Sequence, residues 1–134
     1  MEQKNGIFHV HLIVRDIARS IRFYSKVFGM AVLDFRDAEL PHLVFLSTPG
    51  RTDLLTLNPD PKMQHLAGNN GGVEHFGIKL PDTDLNGAIA RVIDHGGKLV
   101  RRPNFPPGID RAFISDPDGY VIEIQPQYER DALT

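Results

Sequence analysis

The chain repeats itself, and no other feature of its sequence restricts the fold so tightly. "HVHLIVRD" at 9–16 sets His9 seven residues before Asp16, and "HFGIKLPD" at 75–82 sets His75 seven residues before Asp82. A helical pattern follows in each half, and each helix runs into Gly and a strand, "FGMAVL" in the first and "GGKLV" in the second. Farther on, "FLSTPGRTDLLTL" at 45–57 parallels "FISDPDGYVIEI" at 113–124, apart from a one-residue difference in the turn. The period of 66 to 68 residues is too long for a solenoid unit. Two copies are therefore expected to pair about a pseudo-twofold axis.

Periodicity supplies the elements. Residues 7–14 alternate strictly, with Phe8, Val10, Leu12 and Val14 on one face and Ile7, His9, His11 and Ile13 on the other. A helix is expected over 17–29, with Ile17, Ile21, Tyr24 and Phe28 inward, Asp16 as its cap and Gly29 as its stop. Strands follow near 30–36, 42–47 and 53–58, then the Asn-, Pro- and Gly-rich loop 59–72. The second round gives a strand at 73–80, a helix at 84–95 with Leu85, Ile89 and Val92 inward, and strands near 98–102, 110–115 and 120–125. The fold class is α+β: one domain over 1–134, made of βαβββ modules 7–58 and 73–126.

Each sheet must bury its apolar face on its helix, and a one-residue slip would expose every core side chain. The opposite face then carries His9, His11, Thr56 and Asn58 in the first module, and His75, Gly77, Lys79, Glu123 and Gln125 in the second. His9 and His75 share one slot of the repeat, and Thr56 and Glu123 share another. Two imidazoles and a carboxylate facing one another would hold a divalent cation and leave coordination positions open for substrate. His9, His75 and Glu123 are thus the expected metal ligands, and Thr56 and Gly77 the expected pocket lining. His11, beside the ligand slot, is the candidate for proton transfer. His42, His65 and His95 have no matched slot. "DPDG" at 116–119 reads as a turn, and Tyr120 as packing.

"HVHLIVRDIARSIRFYSKVFGM", "GGVEHFGIKL" and "DPDGYVIEI" resemble the signatures of the vicinal oxygen chelate superfamily over residues 7 to 126. That superfamily includes glyoxalase I, extradiol dioxygenases, fosfomycin-inactivating enzymes and bleomycin-binding proteins. The resemblance implies an open, U-shaped mixed sheet around a central metal cleft, with His9, His75 and Glu123 at the ligand positions. It implies ferrous iron or manganese first, with nickel or zinc as further options. Glyoxalase I adds a second glutamate where this chain has Thr56, and a threonine hydroxyl is too weak a base to replace it. Extradiol dioxygenases keep the three-ligand set but commonly carry a tyrosine where this chain has Phe113. The expected function is a metal-dependent enzyme acting on a small substrate with vicinal oxygens, ring-cleaving dioxygenation slightly ahead. The alternatives are a glyoxalase-like lyase or isomerase and a metal-free ligand-binding protein of the bleomycin-resistance type.

Composition narrows the partners. With 15 basic and 17 acidic residues the net charge is −2, and no basic run suits nucleic acid. No apolar stretch is long enough to span a membrane, and "MEQKNGIF" lacks the apolar region of a signal peptide, so a cytoplasmic protein is expected. Cysteine is absent, which removes disulfides and thiol chemistry. A homodimer is expected, because superfamily members often pair and an open sheet leaves edges to cover. Whether the modules pair within one chain or across two is open.

Overall fold

The structure is a computed structural model that describes residues 5–63, 72–80, 84–104 and 110–126. His65 and Asp82, singled out above, lie outside the described residues. The first module comprises β1 (His9–Val14), α1 (Ile17–Phe28), β2 (Ala31–Val32), β3 (Val44–Ser47) and β4 (Leu54–Pro59). The second comprises β5 (His75–Lys79), α2 (Leu85–Asp94), β6 (Lys98–Arg101), β7 (Ala112–Ser115) and β8 (Val121–Gln125). Each module forms a four-stranded sheet, ordered β1-β4-β3-β2 and β5-β8-β7-β6. The first strand runs parallel to the last in each sheet, and the remaining pairs are antiparallel. A parallel pair needs a long return of the chain, and the helix with the two intervening strands provides it. Among the described residues, no helix is long and apolar enough to cross a membrane.

Strand register supports the repeat. His9 stands opposite Leu54 and His11 opposite Thr56 in the first sheet. His75 stands opposite Val121 and Gly77 opposite Glu123 in the second. His9 and His75 therefore occupy equivalent positions, as do Thr56 and Glu123. Asp16 caps α1 by accepting from the Arg19 amide at 3.1 Å. The cap of α2 is Asp84, which accepts from the Gly87 amide at 3.1 Å. The second helix thus starts within one residue of the expected 84–95.

Both modules feed one core. Leu12, Val14, Leu55 and Leu57 pack with Phe23, Tyr24 and Val27 of α1, and the same cluster takes in Leu85, Ala88, Val92, Ile122 and Ile124. Two expectations fail. Phe8 is 70% exposed, because β1 begins at His9 and leaves it outside the sheet. The second strand shrinks from the expected 30–36 to Ala31–Val32, where it lies at the sheet's outer edge with one neighbour only. At the corner between α2 and β6 the backbone comes very close to its neighbours. A Cβ on Gly97 would lie 2.3 Å from the Ser115 carbonyl oxygen and 3.0 Å from the Phe23 ring.

The turn at 116–119 forms as expected, with the Gly119 amide donating to the Asp116 carbonyl at 3.0 Å. Its carboxylates do more than shape it. Asp118, fully buried, accepts from the Arg15 amide (3.1 Å), Arg19 Nη2 (3.1 Å) and Ser20 Oγ (3.3 Å). Asp116 accepts from the Tyr24 hydroxyl at 2.7 Å and from the Asp118 and Tyr120 amides at 2.9 and 2.8 Å. The Tyr120 hydroxyl donates to the Ile13 carbonyl at 2.8 Å. A turn of the second module is thereby fastened to the end of β1 and the first turns of α1.

Removing the Asp118 carboxylate would strand three donors, and Asp118→Ala is expected to cost about 2–4 kcal/mol in chemical denaturation. Burial pushes the Asp116 carboxyl up to about 6, and hydrogen bonds from Tyr24 and the backbone offset this only in part. Folded protein then binds more protons than unfolded chain between pH about 4 and about 6, so this group's contribution to stability falls as pH rises through that window. Denaturation midpoints across the window should show that decline in the wild type, and Asp116→Asn should remove it.

Candidate functional site

The face of each sheet opposite the helices carries the polar residues. On the first sheet, His9 Nε2 lies 2.6 Å from Thr56 Oγ1, and the Val10 carbonyl is 3.5 Å from the same hydroxyl. The two nitrogens of a neutral imidazole play opposite roles, and the Thr56 contact engages Nε2. Thr56 was expected to line a pocket, yet it is 1% exposed and serves as a partner to His9. The His11 ring is edge-on to His9 with centroids 6.0 Å apart, and its side chain is exposed.

On the second sheet, Glu123 Oε2 accepts from Arg111 Nη1 at 3.1 Å, and both side chains are largely shielded. His75 Nδ1 lies 3.2 Å from the neighbouring Glu74 carboxylate. Its ring meets the edge of Phe113 with centroids 4.9 Å apart. Since Gly77 stands opposite Glu123, His75 is the carboxylate's diagonal neighbour on the same face. The two cations of this sheet, Lys79 and Arg111, take different places. Arg111 serves Glu123, while Lys79 is exposed beside Gly77.

Gly77, Lys79, Glu123 and Gln125 line a cleft of about 390 Å³. Another, of about 440 Å³, runs between the start of β1 and the end of β5, and touches His9, Arg51, Asp53, Gly77 and Lys79. A Cβ at Gly77 would make only an ordinary contact, 3.7 Å from the Glu123 carbonyl oxygen, and the β5–β8 register is unbroken. Neither crowding nor a bulge calls for glycine there, so its effect is the open floor it leaves. A third hollow, about 460 Å³, lies along the apolar seam near Val10, Phe28, Met30, Phe76 and Ile78, and shares Gly77 and Lys79 with the other two. Among the described residues of one chain, no three His, Asp or Glu side chains lie close enough to share an ion.

A duplicated βαβββ module with an imidazole on each first strand and a carboxylate on the last defines the vicinal oxygen chelate class. The Glyoxalase/Bleomycin resistance protein/Dioxygenase superfamily matches residues 6–124, and the chain belongs to it. It is 33% identical over 127 residues to a catechol-2,3-dioxygenase of Bacillus subtilis, covering 92% of this chain but 42% of that protein. It is 32% identical over 128 residues to a lactoylglutathione lyase of Escherichia coli O157:H7, covering 88% of this chain and 90% of that protein. The chain thus spans less than half the length of some relatives it matches and nearly the whole of others. Among solved structures, the fosfomycin resistance protein FosX from Listeria monocytogenes superposes with a TM-score of 0.74 at 15% identity, covering 98% of each chain, a likeness of fold.

Sequence reasoning missed two things here: the bond from Thr56 to His9 and the pairing of Arg111 with Glu123. A Thr in the slot that repeats that of Glu123, and an Arg on the same parity as Phe113, were the available signals. Thr56→Val is expected to cost about 1 kcal/mol of stability and to shift the ring-nitrogen NMR resonances of His9, with Thr56→Ser restoring them.

Proposed function

We propose that this chain is a divalent-metal-dependent enzyme acting on a small substrate that chelates through two adjacent oxygens, with ring-cleaving dioxygenation as the favoured reaction. The supporting observation is the matched register that gives His9 and His75 equivalent positions on the two open faces, with Glu123 diagonal to His75. Two imidazoles and a carboxylate suit a divalent ion, ferrous iron or manganese foremost. When bound, such an ion supplies Lewis-acid polarisation of the chelating oxygens.

The chain's own residues do the positioning. Thr56 orients the His9 ring, Arg111 holds the Glu123 carboxylate in place, and Gly77 leaves room for substrate beside it. His11, exposed beside His9, is the group to carry a proton. A lyase would call for a strong base in the slot of Thr56, whereas Thr56 is buried against His9. That favours dioxygenation, in line with the likeness to a catechol-2,3-dioxygenase. The lactoylglutathione lyase reading is the second choice, favoured by a relative whose length the chain nearly fills.

Each chain carries one of the three groups on its first open face and two on its second, and one chain gathers no three of these groups among its described residues. We infer that two copies complete the site, His9 from one and His75 with Glu123 from the other. The apolar side chains of Ile7, Phe8 and Val73, ahead of β1 and β5, are 96%, 70% and 73% exposed and available for that contact.

Purified wild type, reconstituted without oxygen, should take up one iron or manganese per chain and consume dioxygen with a catechol but not convert a hemithioacetal. His9→Ala and Glu123→Ala alone should each bind almost none. Mixed and allowed to exchange, they should recover about a quarter of the wild-type metal, since half of the random pairs hold one intact site. No recovery would rule out the two-copy arrangement, and a wild type that takes up no metal would rule out the enzyme reading in favour of a ligand-binding protein.

A further inference from the structure

The two sheets depart from their common pattern at β6. In the first module, β2 pairs with β3 in regular register, Ala31 with Ser47 and Val32 with Leu46, and the Leu33 amide donates to Phe45 at 2.8 Å. In the second, Lys98 pairs with Ser115 and Leu99 with Ile114, but the next partner of β7 is Arg101, opposite Phe113. One extra residue, Val100, is bulged out. Without it the parity of the strand would put Val100 on the open face over Phe113 and turn Arg101 toward the helices. Bulges gather beside sites where a side chain must be re-aimed.

The re-aimed side chain is well placed. The Arg101 guanidinium carbon lies 4.1 Å from the centre of the Phe113 ring, within cation–π range. The same ring touches His75 edge-on at 4.9 Å, so the guanidinium is no more than about 9 Å from the imidazole, the sum of the two distances. Arg102, next in the chain, points the other way and is paired with Asp110 and Asn86. Arg101 forms no ion pair among the described residues. Held over the Phe113 face, the guanidinium has N–H groups to offer a planar oxyanion.

We propose that Arg101 is a specificity-determining residue that binds an anionic group, a carboxylate above all, on the substrate's far end from its chelating oxygens. The proposal rests on the reading of His75 and Glu123 as part of the site, and adds the substrate class: a vicinal-oxygen chelator bearing an acidic arm. Arg101 positions and selects substrate and takes no part in bond changes.

The test compares two probes by calorimetry on metal-loaded protein: 3,4-dihydroxyphenylacetate, which has the acidic arm, and 4-methylcatechol, which lacks it. Wild type should bind the acid about 10- to 100-fold more tightly, the range of one charge-assisted bidentate contact. Arg101→Gln should abolish that preference, leave binding of 4-methylcatechol within about twofold, and keep the thermal midpoint close to wild type. Arg101→Lys should recover only part, because an ammonium cannot form the planar fork. Phenylacetate binding to metal-free wild type and Arg101→Gln measures the acidic arm by itself, so a chain that takes up no metal would sink the enzyme reading while this comparison still decides the role of Arg101. Equal preference in wild type and Arg101→Gln, or a variant that loses only stability, would overturn the proposal and leave Arg101 as packing for Phe113.

Discussion

Two buried carboxylates from one turn hold the halves of this molecule in register. Asp118 satisfies an amide, a guanidinium and a hydroxyl of the first module, and Asp116 takes the hydroxyl of Tyr24. A buried carboxylate is tolerable only when its oxygens are supplied with donors, so these bonds admit one docking of the turn against α1 and few others. The shared core gives cohesion, but apolar contact is non-directional and would allow sliding. The polar clamp specifies where each sheet's open face looks. Every relation between the imidazole of one half and the carboxylate of the other inherits that geometry.

Duplication explains why so much of the architecture was legible. Two independent copies of the same alternation had to agree, and the ladders of β1 with β4 and β5 with β8 match position for position. What could not be read depended on contacts between distant segments. Asp118 looked like a turn residue because its local role is real, and nothing near it in the chain announces Arg19 or Ser20. The second strand is short because only Ala31 and Val32 find partners on β3, a pairing that alternation along one segment cannot reveal. Phe8 fits the alternation, but the chain enters the sheet only after it, at His9. The second helix starts within one residue of its expected position, capped by Asp84.

The candidate site was legible in its donors and opaque in its partners. Parity put His9, His11, His75, Gly77 and Glu123 on open faces, and the structure agrees. Parity carries no information about what each polar atom touches, so the Thr56–His9 and Arg111–Glu123 bonds were invisible. The same slot holds a neutral hydroxyl in one half and a charged carboxylate in the other. Divergence between copies has therefore left one sheet with a hydroxyl bonded to an imidazole and the other with a carboxylate paired to a guanidinium. Arg101 escaped notice for a more specific reason, since a bulge breaks the parity rule on which the assignment of faces relied.

The tight corner at Gly97 links those layers mechanically. Its backbone is wedged between the Ser115 carbonyl and the ring of Phe23, and the strand that leaves it leads within four residues to Arg101. A protein interior transmits strain because it is densely filled. A change of volume at Phe23, deep in the other module and far from any ligand, would therefore press on this pivot and tilt the strand. The role proposed for Arg101 would then have a lever hidden in the hydrophobic interior, one that could be moved while every donor atom stays where it is.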